Sequence, residues 1–89
     1  MSDTFDVSAP WRVSAQVSLR DEAFGALAYH HATRRLVFLK SPLLVALVRG
    51  LNEFDSAHDA LNALVPAAQY QRYASALASL AKSEILSER

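Results

Sequence analysis

From Val13 to Leu19 apolar and polar residues alternate without a break, with Val13, Ala15, Val17 and Leu19 on one side and Ser14, Gln16 and Ser18 on the other. A period of two belongs to a strand with one buried face, and it predicts a first strand here. Arg20, Asp21 and Glu22 then predict a polar turn, followed by a second strand over Phe24–His30 and a third over Arg35–Lys40, with Ala32 and Thr33 at the hairpin tip. The third strand breaks the alternation. Leu36 and Phe38 fall on one face and Val37 and Leu39 on the other, so both faces are apolar and both need cover. At a sheet edge, such a strand offers unpaired backbone N–H and C=O groups beside an apolar face, which is what capture of an extended peptide by strand addition requires.

Beyond Lys40 the spacing turns helical. Ser41 can cap free N–H groups and Pro42 has helical φ without needing a donor, so the first helix is predicted over Pro42–Arg49. Gly50 is a candidate stop, although Leu51 and Phe54 continue the spacing. Ser56, with Asp59 three residues on, predicts a short second helix carrying Ala57, Ala60, Leu61 and Leu64. Pro66 opens a longer third helix with Tyr70, Tyr73, Leu77 and Leu80 on one stripe and Ala74, Ala78 and Ala81 beside it. Three antiparallel strands followed by three helices make an α+β plan. Residues 1–10, with acids, small residues and a proline, are expected to form a mobile N-terminal tail, and residues 11–89 a single domain.

The helical stripe is the pattern of a core face, yet its flanking alanines also leave room for a groove between the third helix and the adjacent strand. The candidate peptide-binding residues are therefore Leu36, Val37, Phe38 and Leu39 on the strand and Tyr70, Tyr73, Ala74 and Leu77 on the helix, with Arg34 and Arg35 beside them. Charge adds to this picture locally rather than globally. Nine Lys and Arg balance nine Asp and Glu, which removes the overall attraction that non-specific nucleic-acid binding uses. Between Ala23 and Asn52, however, there is no acid, while Arg34, Arg35, Lys40 and Arg49 are all present. This basic stretch either complements an acidic peptide or neighbouring protein, or discourages unwanted sheet pairing.

Chemistry finds little to work with. The chain has no cysteine, hence no thiolate, disulfide or cluster ligand. His30 and His31 are adjacent on a strand and point to opposite faces, and His58 lies on a separate helix, so no metal site is expected. Asp21 and Glu22 are expected in a solvated turn, and two glycines cannot build a phosphate loop. The reading is a non-catalytic chain without cofactor. It has no secretory signal and no apolar run long enough for a bilayer, which predicts a cytoplasmic protein with no membrane partner.

The segment QVSLRDEAFGALAYHHATRRLVFLKSPLL, Gln16 to Leu44, resembles the central part of the mycofactocin-system peptide chaperones, which are PqqD-like RiPP recognition elements. The specific part is Phe24, Gly25, Ala26, Leu27, Tyr29 and His30, then Thr33, Arg34, Arg35, Leu36, Phe38, Leu39 and Lys40. ALASLAKSEIL, Ala76 to Leu86, is similar to the family's final helix and closing apolar residues. Two places depart from the pattern: Ser83 and Glu84 stand where relatives commonly carry Gly after the last helix, and Ser14 and Ala15 replace a His-Pro pair. The resemblance implies a winged helix-turn-helix-like fold that binds the leader of a ribosomally made precursor peptide along the third strand and the groove beside the third helix. It also implies a radical SAM maturase as partner, with S-adenosylmethionine and iron–sulfur clusters belonging to that enzyme. Two other readings compete with the clasp. One is a winged-helix DNA-binding module, which the scarcity of cations from Ala57 to Ala81 disfavours. The other is a dimerisation module, whereas the clasp is expected to be a monomer or weak dimer.

Overall fold

The computed structural model describes residues 5–89, in an α+β, winged helix-turn-helix-like arrangement. Strands β1 (Trp11–Val13), β2 (Val17–Glu22), β3 (Gly25–His30) and β4 (Leu36–Leu39) precede α1 (Pro42–Gly50), α2 (Ala57–Leu64) and α3 (Tyr70–Lys82), and β5 (Leu86–Glu88) closes the chain. Single 3-10 turns over Leu51–Glu53 and Ala67–Gln69 join the helices. The antiparallel sheet has the order β2-β3-β4, and β1 pairs with β5 in a separate two-stranded ribbon.

The strand expected over Val13–Leu19 is two strands. Ser14 accepts the Gln16 amide on Oγ and the Val17 amide on its carbonyl, a local turn that competes with extended pairing and leaves Ala15 exposed. β2 runs on through Arg20, Asp21 and Glu22, where a turn was expected. The reversal comes two residues later, because Gly25 adopts φ +148° beside the close-lying carbonyl of Leu39. At the β3–β4 tip, Arg34 takes the left-handed conformation (φ +65°) that Gly or Asn usually supplies. The tip is held instead by His30, only 4% exposed, whose Nδ1 accepts the amides of Ala32 and Thr33 at 3.2 Å each. His30 is thus packed inside and not solvated. It is the inward anchor of the hairpin.

Both expected serine caps are present, Ser41 accepting the Leu44 amide and Ser56 the Asp59 amide. α3 begins at Tyr70, since the residues after Pro66 form a 3-10 turn first. Its far end is a Schellman closure: the Glu84 amide donates to Ala81, the Ile85 amide donates to Leu80, and Glu84 takes φ +67°. That closure turns the buried Ile85 and Leu86 into the core and aims β5 at β1.

One core joins these layers. The inward row of the sheet, Ala26, Ala28, Val37 and Leu39, is narrow enough for α1 to lie close, and Leu47, Val48, Leu51, Leu61, Leu77 and Ile85 are, with Leu39, the largest fully buried side chains. Of the ten residues expected as a mobile tail, Met1 to Thr4 lie outside the described residues, while Phe5–Pro10 dock on the helices. The carbonyls of Val7 and Ala9 accept the His58 and Ala57 amides, two of the free donors at the start of α2. Phe5 stacks on Trp11 at 4.8 Å, and the Trp11 indole donates to the Asp6 carbonyl.

Candidate functional site

The sheet has two edges of unlike character. β2 carries Arg20, Asp21 and Glu22 along its length, and charges of this kind discourage pairing with another chain. β4 is Leu-Val-Phe-Leu, with no charge inside it. Its register on β3 pairs Ala28 with Val37 and Ala26 with Leu39, and the His30 amide donates to the Arg35 carbonyl one step earlier. Antiparallel alternation then turns the backbone groups of Val37 and Leu39 toward β3 and those of Leu36 and Phe38 outward. Among the described residues β4 is therefore an open edge, with free donors and acceptors at Leu36 and Phe38.

Side chains follow the same alternation. Leu39 is fully buried and Val37 half-buried against the helices, whereas Leu36 and Phe38 are each 52% exposed on the outer face. Arg34 and Arg35 lie exposed at the tip, and among the described residues neither is in an ion pair. Lys40 holds its ammonium 5.8 Å from the Phe38 ring.

The far end of β4 reaches α3. Ser41, which follows the strand by one residue, places Oγ 3.0 Å from the Tyr73 hydroxyl. Of the four helix residues singled out from the sequence, only Tyr73 is tied to the β4 end in this way. Tyr70 turns toward α2, where its hydroxyl meets His58 Nδ1, while His58 Nε2 faces the Asn62 amide. Tyr70 and Ala74 line an open groove of about 530 Å³ on the other flank of α3, together with Phe5, Val7, Ala78 and Lys82. Leu77 is wholly buried and supports both flanks from beneath.

Sequence reasoning did not single out Phe24, which lies on the outer face of the sheet and not on the β4 edge. It is 42% exposed and its ring centroid is 5.8 Å from that of Phe38, so the two rings form one apolar surface. The signal was an aromatic residue next to Gly25 at the start of a strand, but only the register shows that the ring meets Phe38. Among the described residues no three His, Asp or Glu side chains are grouped to hold a metal ion, and no helix is long and apolar enough to cross a membrane.

The model of the peptide chaperone MftB family matches residues 10–87, nearly the whole described chain. This chain belongs to the peptide chaperone MftB family. It is similar to peptide chaperone MftB of Mycobacterium ulcerans, with 42% identity over 83 residues, covering 92% of this chain and 76% of the relative. The MftB of Mycolicibacterium smegmatis is 43% identical over 84 residues, 93% of this chain and 82% of the relative. That of Mycobacterium tuberculosis is 39% identical over 89 residues, 99% of this chain and 82% of the relative. No solved structure matches the chain. In this MftB-family chain the matched region contains both the β4 edge and α3, so the open edge lies within the part that defines the family.

Proposed function

We propose that this chain is a non-catalytic, cytoplasmic peptide chaperone that captures the leader of the mycofactocin precursor peptide as an added strand on β4 and presents it to a radical SAM maturase. The observation that carries the reading is the uncharged β4 edge, with outward backbone groups at Leu36 and Phe38 and its end tied to α3 through Ser41 and Tyr73. Family membership supports it, since the relatives are named peptide chaperones. Arg34, Arg35 and Leu36 to Leu39 form the strand side of the clasp and Tyr73 its helix side, with Leu77 acting through packing, while Tyr70 and Ala74, expected there from the sequence, face the other flank of α3. In this reading S-adenosylmethionine and iron–sulfur clusters belong to the maturase, and the absence of cysteine from this chain agrees with the clusters being held there.

Binding on the order of micromolar, near −8 kcal/mol, is the expected outcome. Calorimetry with a synthetic mycofactocin precursor peptide tests it. Absence of heat at high peptide concentration, with no amide shifts on β4, refutes the reading.

A further inference from the structure

Among the described residues, three of the four large apolar side chains that lie exposed, Phe24, Leu36 and Phe38, share the outer face of the β2-β3-β4 sheet. Leu27 and Tyr29 on β3, both half-exposed, fill the row between them by register, Leu27 opposite Phe38 and Tyr29 opposite Leu36. No element of the described chain covers this face. A strand added at the β4 edge would border it without covering it, because an added strand lies in the plane of the sheet and sends only alternate side chains outward. Free cations border the face along β4 and the tip, whereas its β2 border holds the Arg20–Glu22 ion pair. Lys40 lies against Phe38, Arg34 and Arg35 are exposed at the tip, and no acid occurs between Ala23 and Asn52 to neutralise them.

We infer that the outer sheet face is a second docking surface, distinct from the β4 edge, and that its occupant is an apolar patch rimmed by carboxylates on the enzyme that modifies the captured peptide. This inference rests on the peptide-chaperone reading. Charge complementarity selects such an occupant, since free cations around an apolar centre favour an acidic rim and repel a basic one. A second copy fits poorly, because a two-fold contact on this face would gather Arg34 and Lys40 from both chains, while Glu22, the acid that β2 places on the same face, is already paired with its own Arg20. Continuity with the clasp points the same way. A peptide strand beside β4 places its outward side chains next to Leu36 and Phe38, so an enzyme seated on this face meets carrier and cargo together.

The test compares the parent, Phe24→Ser and Lys40→Glu, two positions outside the proposed clasp, in two titrations: one with the mycofactocin precursor peptide and one with a purified mycofactocin-system radical SAM maturase. Both variants are expected to keep peptide affinity within about twofold of the parent and to lose tenfold or more in maturase affinity, and the parent–maturase affinity is expected to fall as salt rises. Unchanged maturase binding by both variants overturns the inference, as does failure of the parent to bind the maturase. A Phe24-dependent dimer in sedimentation, or Phe24-dependent binding to phosphatidylserine vesicles without maturase binding, overturns it in favour of another occupant. If the parent fails to bind peptide yet binds the maturase in a Phe24-dependent way, the strand-addition reading falls while the surface stands.

Discussion

Ser41 Oγ lies 3.0 Å from the Tyr73 hydroxyl while it also accepts the Leu44 amide at 3.2 Å. One side chain thus follows β4, caps α1 and reaches α3, so the edge and the helix that flank the proposed peptide path are held at a fixed spacing. Tyr73→Phe removes one hydrogen bond from this junction and is expected to cost about 0.5–1.5 kcal/mol of stability in urea unfolding, with little change in peptide affinity. Tyr73→Ala opens the junction and is expected to weaken peptide binding by about 1–3 kcal/mol while circular dichroism stays native. Arg72→Glu, on the exposed side of α3, should do less. Equal peptide affinity for parent and Tyr73→Ala would place the peptide elsewhere.

The edge itself is probed by proline. At Val37, paired with Ala28 through inward backbone groups, proline would break the sheet rather than the docking edge. At Leu36 the amide points outward and the residue is the first of β4, a position where proline is tolerated. Leu36→Pro is therefore expected to leave the hairpin intact and weaken peptide binding tenfold or more, while Leu36→Val, which keeps the donor, stays close to the parent. Calorimetry, with amide spectra to check the hairpin, separates the two, and equal losses for both variants would show that side-chain burial, not the backbone ladder, carries the affinity.

Much of this was legible from periodicity, because serine caps and helical stripes are local signals and the doubly apolar β4 announces itself within four residues. What stayed hidden depends on contacts distant in sequence. β1 and β5 are three residues each, too short for a period, and they exist only because the Glu84 turn brings Leu86 back to Val13. The docking of Phe5–Pro10 is likewise written in the amide donors at Ala57 and His58, some fifty residues away. Tyr70 and Tyr73 share one stripe in sequence but part company in space, one bonded to His58 and the other to Ser41. A three-residue offset on a helix is enough to direct neighbours to different flanks.

Gly25 is the position where the sequence tolerates least change. A Cβ there would lie 2.0 Å from the Leu39 carbonyl oxygen and 3.1 Å from the Ser41 nitrogen, both backbone atoms, and φ +148° is strained for any side chain. Gly25→Ala is expected to cost more than about 3 kcal/mol, with loss of cooperative unfolding. A native-like thermal transition for this variant would show that the β2–β3 reversal re-forms around another residue.

Acid acts on the N-terminal segment. Hydrogen bonds from the Ser8 hydroxyl and then the Ser8 amide hold the Asp6 carboxyl below the ordinary aspartate range. A depressed folded value means that the contribution is present above the unfolded value, near pH 4, and is lost as pH falls through the folded one. Carboxyl NMR titration should find Asp6 ionised to lower pH than a free aspartate, and Ser8→Ala should move it back upward. An Asp6 that titrates identically in parent and Ser8→Ala would sink this account of the turn.

At the other end of the chain, Glu84 occupies a left-handed position (φ +67°) as the residue after the α3 cap. An L-residue in that conformation costs about 1–2 kcal/mol, which glycine avoids at the expense of about 0.5–1 kcal/mol in unfolded-chain entropy. Because Glu84 is exposed and makes no ion pair among the described residues, nothing else is lost on replacement. Glu84→Gly is expected to raise stability by about 0.5–1 kcal/mol. Glu84→Val, with a branched Cβ in the same turn, is expected to lower it and to loosen the β1–β5 ribbon that the turn aims. Peptide affinity should be the same for all three chains, since α3's far end lies away from the Tyr73–Ser41 junction. Denaturant midpoints rank the variants, and a Glu84→Gly chain no more stable than the parent would mean that the turn carries no strain to relieve.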